Sequence, residues 1–356
     1  MTDIIVIGGG IAGLSAAARL SENADVLVLE TEDALGHHAS GRSAALIEKN
    51  YGAPSVRALN HASIDYLQDG GYLTQRGLLI VAEQDDGEAF AQDVQSMGVT
   101  EVSPVEALDM VPILDARKVA HAAYHADAHD IDTDRLMQDF ARVLRANGGR
   151  VAVRSPVTAI TRADGLWQVT TPDGAHTAAT FVNAAGAWAD TVAQLASIAP
   201  LGIVPHRRSM ARIPAPGGHD VTGWPMFFGT GESWYAKPDA GALIVSPAEE
   251  MATTPHDAYA DDMVLAEGLA RYENMVTEPV NRLLTSWAGL RSFAPDRTLV
   301  LGRDPDMPDF VWCAGQGGYG FQTAPAASQL LADLVLGRAP SLDPDSVAAL
   351  RPDRLR

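Results

Sequence analysis

The chain has 356 residues, 47% of them hydrophobic, and a formal net charge of −19 from 45 acidic and 26 basic side chains. That length and apolar content suit a globular protein with a large core and two domains, while the negative charge repels phosphate backbones and excludes nucleic acid as an expected partner. No run of about 18 apolar residues exists, and the N-terminal strand lacks the basic flank and cleavage pattern of an export signal, so a cytoplasmic protein that is not integral to a membrane is expected. The single cysteine, Cys313, rules out an internal disulfide and fits a reducing compartment.

The first element is an apolar strand, Asp3 to Ile7, running into Gly8-Gly9-Gly10-Ile11-Ala12-Gly13 and an Ala-rich helical segment from Leu14 to Leu20. In this Gly-x-Gly-x-x-Gly pattern Gly8 permits the tight turn, Gly10 lets backbone N–H groups approach a pyrophosphate, and Gly13 lets the helix pack close to the strand. A second strand, Asp25 to Leu29, ends on Glu30, at the spacing where an acid accepts hydrogen bonds from an adenosine ribose. A complete βαβ dinucleotide-binding unit is therefore expected.

Further on, Asp132 to Asn147 reads as an amphipathic helix with Leu136, Phe140, Val143 and Leu144 on one stripe and Asn147-Gly148-Gly149 stopping it. Val151 to Val153, Val157 to Thr161 and Trp167 to Thr170 are strand-like and separated by turn signals such as Pro172-Asp173-Gly174, which predicts a small β-meander. Phe181 to Ala185 is another apolar strand, ending at Gly186. From about Leu201 to Gly289 the chain becomes rich in prolines, aromatics and short β-like runs, including Trp234 to Lys237 and Ala242 to Val245, and is read as a mixed or antiparallel sheet of a substrate domain. The chain then returns with the strand Phe310 to Ala314, the loop Gly315-Gln316-Gly317-Gly318-Tyr319-Gly320, and a helix from about Thr323 to Leu336 ended by Gly337.

That last loop lies between a buried strand and a helix start, so its N–H groups and the helix dipole can face an electron-rich ring such as a reduced flavin. Near the N-terminus, Gly36-His37-His38-Ala39-Ser40-Gly41-Arg42-Ser43-Ala44 places small residues and one arginine where a long dinucleotide would continue. NAD would not need the second, distant glycine loop.

Together, Ser40-Gly41-Arg42-Ser43-Ala44-Ala45, Asp130 to Asp134, Val182 to Trp188, Trp287 to Phe293 and Gln316 to Gly320, in that order, resemble the D-amino-acid oxidase and glycine oxidase group of FAD enzymes, with its D-arginine dehydrogenase branch the nearest. The resemblance covers essentially the whole chain. It implies an α/β fold, with a Rossmann-type FAD-binding domain (residues 1–45, 132–200 and 290–356) interwoven with a substrate domain on a mixed, largely antiparallel sheet (46–131 and 201–289, with an active-site loop near 46–54). It implies noncovalent FAD held by Gly8, Gly10, Ile11, Ala12, Gly13, Glu30, Thr31, Gly41, Arg42, Ser43, Ala44, Val157, Ala185, Gly186, Trp188, Gly318, Tyr319, Gly320, Phe321, Gln322 and Thr323. The implied reaction is oxidative deamination of D-amino acids: hydride leaves the α-carbon for flavin N5, and the imine is hydrolysed to a keto acid and ammonia, with oxygen or a quinone as acceptor.

An amino-acid carboxylate needs a fixed cation, and a planar guanidinium holds it bidentately. Arg291, in Ala288-Gly289-Leu290-Arg291-Ser292-Phe293, is the expected clamp, and Arg208 resembles the family's second arginine, with its neighbour Arg207 the alternative. Tyr51 and Tyr235 match tyrosines whose hydroxyls meet the substrate; from the resemblance alone, Gly318 offers its carbonyl to the substrate amine and Gln322 lies near the pocket. The chain departs from the arginine enzyme at Leu46 and Leu78, which stand where a histidine and a glutamate recognise a cationic side chain. The expected pocket is therefore apolar or broad, lined by Leu46, Met226 and Phe228, with Glu48 on the same loop as either a replacement charge or half of a solvated pair with Lys49.

Three signals are discounted. His121, His125 and His129 would line one face of a helix, but the surrounding residues resemble a strand and loop leading to Asp132, so no metal site is expected. His37 and His38 are adjacent, their side chains point apart, and they are read as a loop beside FAD. Cys313, inside an apolar strand, is read as a structural thiol. Two other functions stay open: oxidation of glycine, sarcosine or another N-substituted amino acid, and a flavin subunit active only with a partner.

Overall fold

The computed structural model describes residues 2–356 and is built around two large sheets. The first places Arg150–Ala152, Val26–Leu29, Thr2–Ile7, Gly174–Asn183 and Phe310–Ala314 side by side and parallel, with Val300–Arg303 antiparallel at the edge. Successive side chains of a strand point to opposite faces, and here both faces are covered. Ile4, Val6, Val26, Val28, Val311 and Cys313 join one apolar cluster, packed under the helices Ile11–Leu20, Pro54–Asp69 and Gly320–Leu336. Ile5, Ile7, Leu27, Leu29, Phe310 and Trp312 join another, against Ile160, Trp167 and Val169.

Those last three residues belong to the predicted meander, which forms from Ala159–Ala163, Leu166–Thr171 and Gly174–Asn183. The prediction erred in its first member: Arg150–Ala152 pairs in parallel with Leu27 to Leu29 at the edge of the main sheet. It erred again in separating Phe181 onward, because one ten-residue strand closes the meander with residues 174–178 and enters the parallel sheet with residues 178–183. Both differences come from long-range pairing that turn signals do not encode.

The predicted amphipathic helix is Thr133–Ala146, capped by the Asp132 carboxylate, which accepts from the Arg135 amide at 3.1 Å. Leu136, Phe140 and Leu144 are buried, but Val143 is exposed, since Ala141 fills the stripe beside Phe140 instead. The C-terminal helix starts three residues earlier than predicted, at Gly320, and ends at Gly337 in the left-handed conformation, φ 70°.

The second sheet is the mixed, largely antiparallel one expected: Val204–Pro214 pairs with Thr285–Phe293 on one side and with Ala242–Ser246 on the other. It continues through Tyr235–Asp239, Met226–Gly229, Leu78–Ala82, His121–His125 and Thr100–Val102, with Met226–Gly229 and Leu78–Ala82 its parallel pair. The strand Thr285–Phe293 runs across residue 290, the expected domain boundary. One face, with Leu79, Val81, Phe227, Trp234 and Ala236, packs with Tyr272 and Met275 of the helix Asp262–Met275. The other turns Leu78, Phe228 and Tyr235 toward a large cavity, with Ile80 in the same apolar cluster.

Segment 46–54 is not a free loop. Leu46–Ile47 forms a three-stranded sheet with His129–Ile131 and Leu73–Gln75, and Pro54 opens a helix. His121, His125 and His129 lie on strands, as the strand-and-loop reading expects, and not along one helix face.

Cys313 is 3% exposed, and burial pushes its thiol up to about 12. The native protein should therefore not react with a thiol reagent at pH 8, whereas the denatured chain should titrate one thiol; fast labelling of the native state would refute the burial.

Candidate active site

The glycine turn packs as its spacing requires. Gly8 has φ 106°, and a Cβ there would overlap the Ala184 carbonyl oxygen. At Gly13 a Cβ would overlap the carbonyl oxygen of Gly8. Glu30 ends the second strand inside the same cavity, accepting from the Gly9 amide at 2.6 Å and the Glu32 amide at 2.9 Å. Each carboxylate oxygen keeps a lone pair for a ribose hydroxyl. Ser40 was not among the predicted site residues, yet its Oγ lines the cavity and accepts from the Ile11 amide at 3.0 Å, where the helix begins. Its signal was only its place in the Ser-Gly-Arg run.

One continuous cavity of about 640 Å³ connects this turn to the second sheet. On its walls stand Gly8, Gly10, Ile11, Ala12, Glu30, Thr31, Arg42, Ser43, Ala44 and Val157 of the predicted cofactor set, then Ala185, Gly186, Trp188, Gly318, Gly320, Phe321 and Gln322. Four predicted residues are not on the wall. Gly13 packs on Gly8, and Gly41 donates its amide to the Gly36 carbonyl. Tyr319 packs beside Tyr51, ring centres 5.5 Å apart, while Thr323 turns its hydroxyl to the Tyr319 carbonyl at 2.8 Å.

Arg42 ties two segments to this cavity. Its guanidinium donates to the carbonyls of Ala258 (2.8 Å) and Ala288 (3.0 Å) and pairs with Asp257. His37 and His38 do not diverge as expected. Both line the cavity and approach Asp257, at 4.0 and 3.7 Å, because they sit in an irregular turn rather than on a strand. Asp257 is already matched by Arg42, and His38 Nε2 lies 3.0 Å from Glu32.

All six residues expected at the substrate line the same cavity: Tyr51, Arg208, Tyr235, Arg291, Gly318 and Gln322. Sheet register explains the arginines. Arg291 is paired with His206 and Arg208 with Gly289, so both arginines project from one face as diagonal neighbours, about 7–8 Å apart at the backbone. Arg207, one residue out of phase, points away and pairs with Asp261 at 3.4 Å. Arg208 is 6% exposed; its Nε donates to the Glu249 carbonyl at 2.9 Å and its Nη2 to Glu250 Oε1 at 3.3 Å. Arg291 Nη1 donates to the same Oε1 at 2.9 Å. Burial opposes the charge of Arg291, but Tyr51, Glu232 and Glu250 outweigh it and hold its pKa above the ordinary value.

Tyr51 sits in the turn between Ile47 and Pro54, and the fully buried Asn60 holds that turn by donating its amide to the Tyr51 carbonyl at 3.1 Å. Burial, then the nearby Glu232 carboxylate, push the Tyr51 hydroxyl well above the usual phenol range, so it is a neutral donor. Glu232 lines the cavity and was not predicted; it sits at φ 50° in a short turn with no sequence signal of its own. Gly318 lies so close to Arg291 that a Cβ would overlap the guanidinium.

Beside Tyr235, the residues Leu46, Leu78, Met97, Met226 and Phe228 form one apolar wall. Glu48 borders it, 3% exposed. It is neither free nor paired with Lys49: its Oε2 meets His125 Nδ1, its Oε1 accepts from the Asn50 amide at 3.0 Å, and Lys49 pairs with Asp127 instead.

A glycine cradle at a helix start, a ribose-height carboxylate and an apolar cavity reaching two arginines define a dinucleotide-dependent enzyme. Gln322 Nε2, buried on that wall with no partner, adds a donor that awaits a cofactor or substrate oxygen. Residues 3–334 match the FAD dependent oxidoreductase family, and the chain belongs to it. Its cofactor is FAD, and the only cysteine lies off the cavity wall, in keeping with noncovalent binding.

Among similar proteins are a glycine oxidase of Pseudomonas putida, 25% identical with 96% of each chain covered, and an N-methyl-L-tryptophan oxidase of Salmonella agona, 24% identical with 96% of each covered. The crystal structure of an L-proline dehydrogenase from P. horikoshii superposes with a TM-score of 0.83 at 23% identity, covering 99% of this chain and 97% of the other. Among the described residues no helix is long and apolar enough to cross a membrane.

Proposed function

We propose that this chain deaminates D-amino acids oxidatively, giving an imino acid that water converts to a keto acid and ammonia. The observation that supports it is the convergence of Arg208, Arg291, Tyr51 and Tyr235 on the cavity that also contains the dinucleotide turn. FAD, when bound, accepts the hydride equivalent removed from the substrate α-carbon.

The donor inventory supports a role for each residue. With Nη1 turned to Glu250, Arg291 keeps its Nε and Nη2 edge for a carboxylate, and this edge lies against Gly318. Arg208 uses Nε and Nη2 on Glu249 and Glu250, leaving Nη1 as a single further donor. Tyr51, kept neutral with Glu232 beside its hydroxyl, lies next to Arg291 at the site for this carboxylate, and Tyr235 lines the same cavity. The Gly318 carbonyl then receives the amine, and Gln322 Nε2 donates into the cofactor side of the site.

The apolar wall of Leu46, Leu78, Met97, Met226 and Phe228 supports substrates with uncharged side chains in place of arginine. A cytoplasmic location and an acceptor that is oxygen or a quinone complete the proposal. A second reading, oxidation of glycine, sarcosine or N-substituted amino acids, is favoured by the glycine oxidase and N-methyl-L-tryptophan oxidase among its relatives.

The test is an anaerobic spectrum of the holoenzyme mixed in turn with single D- and L-amino acids, glycine and sarcosine. Bleaching of the oxidised flavin band by D- but not L-amino acids is expected, and readmitted air then shows whether oxygen is an acceptor. Bleaching only by glycine or N-methylated substrates would select the second reading, and none at all would sink both.

A further inference from the structure

Two arginines side by side on one sheet face repel each other and have long, mobile side chains. A pair that must meet one carboxylate in one geometry needs something that fixes both. Glu250 occupies that position. Its Oε1 accepts from Arg291 Nη1 at 2.9 Å and from Arg208 Nη2 at 3.3 Å, while its Oε2 accepts from Arg297 Nη2 at 2.5 Å. Arg297 in turn lies over the Phe293 ring, 3.9 Å from its centre, which braces the outer end of the group. Arg208 and Arg291 line the cavity, whereas Glu250 and Arg297 lie behind them, toward the surface.

We infer that Glu250 is a positioning residue for the carboxylate clamp: it orients Arg208 and Arg291 from the side away from the cavity and screens their mutual repulsion. This rests on the proposed function, because the clamp has a use only if the substrate carries a carboxylate. Glu250 takes one nitrogen from each fork, leaving the Nε–Nη2 edge of Arg291 beside Gly318, while Arg208, whose Nε is held by the Glu249 carbonyl, keeps Nη1. The carboxylate is a good partner: burial works against its charge, yet Arg291, Arg297 and Arg208 hold its pKa below the usual glutamate value. No sequence motif marks it, since it is 41 residues from Arg291 and 42 from Arg208.

The test compares holoenzymes of the wild type, Glu250→Gln and Glu250→Asp in two measurements. Acetate is titrated against the flavin spectrum as an unreactive carboxylate, and a reactive amino acid is used for anaerobic flavin reduction. Glu250→Gln should raise both the acetate Kd and the substrate KM about tenfold, the loss of one charged hydrogen-bonding partner, while the limiting reduction rate changes less than about twofold. Glu250→Asp, which keeps the charge but retracts it by one methylene, should fall between. A Glu250→Gln enzyme with unchanged or tighter acetate binding would overturn the inference, since Glu250 would then be an idle surface pair or a competitor for the clamp. A drop confined to the reduction rate would overturn it as well. If the wild type neither binds acetate nor is reduced by any amino acid, the proposed function itself falls and the inference falls with it.

Discussion

Replacing Arg291 by methionine should lower kcat/KM for the reactive amino acid by a hundred- to a thousandfold, roughly the 3–4 kcal/mol that a lost charge-assisted, bidentate pair represents. The physical reason is local. Arg291 reaches Tyr51, Gly318 and Glu250 together, and Glu250 engages only its Nη1, leaving the Nε–Nη2 edge toward Gly318. Methionine preserves much of the packing volume, so the flavin content and melting temperature of Arg291→Met should stay close to wild type. Loss of activity together with loss of flavin would instead show that Arg291 holds the fold or cofactor. An unchanged kcat/KM would remove it from the substrate altogether.

A similar loss is expected from a far smaller change, Gly318→Ala. A Cβ at this position would occupy the space of the Arg291 Nη2 and Cζ atoms. The obstacle is the far end of a flexible side chain, so the chain folds and the guanidinium moves; backbone strain is not involved. Gly318→Ala should therefore retain flavin and stability while losing a hundredfold or so in kcat/KM, about the cost of misplacing the clamp. The double variant with Arg291→Met should be scarcely worse than either single one, because both act through the same guanidinium. If the two losses multiply, the glycine acts on the substrate directly. The contrast is Gly13, where the obstacle is the Gly8 carbonyl of the backbone and nothing can give way cheaply.

These expectations set the limits of what could be read along the chain. The strand, glycine turn, helix and Glu30 were legible because each depends on neighbours within about 20 residues: a tight turn, a helix start and a strand end have local signatures. The loop Gly315 to Gly320 was legible for the same reason, lying between an unbroken apolar strand and a helix that ends in glycine. The resemblance carried Arg291, Tyr51 and Tyr235 to the cavity, and the geometry adds the reason they can act together. The meander was half legible: its turns are local, but Arg150–Ala152 and residues 178–183 found their partners in the N-terminal unit.

By itself the amino-acid sequence determined the dinucleotide turn, the two glycine loops, the apolar alternation of the strands and the residue types available to meet a carboxylate. Tertiary structure decided which of Arg207 and Arg208 faces the cavity, because strand phase and the pairing of Arg208 with Gly289 place it beside Arg291. It also turned Glu48 toward His125, brought Asp257 to Arg42, and set Glu250 behind both arginines. The physical reason is that turns, caps and periodicity are written in the geometry of adjacent residues, whereas a shared charge arises only where register and packing bring distant strands together.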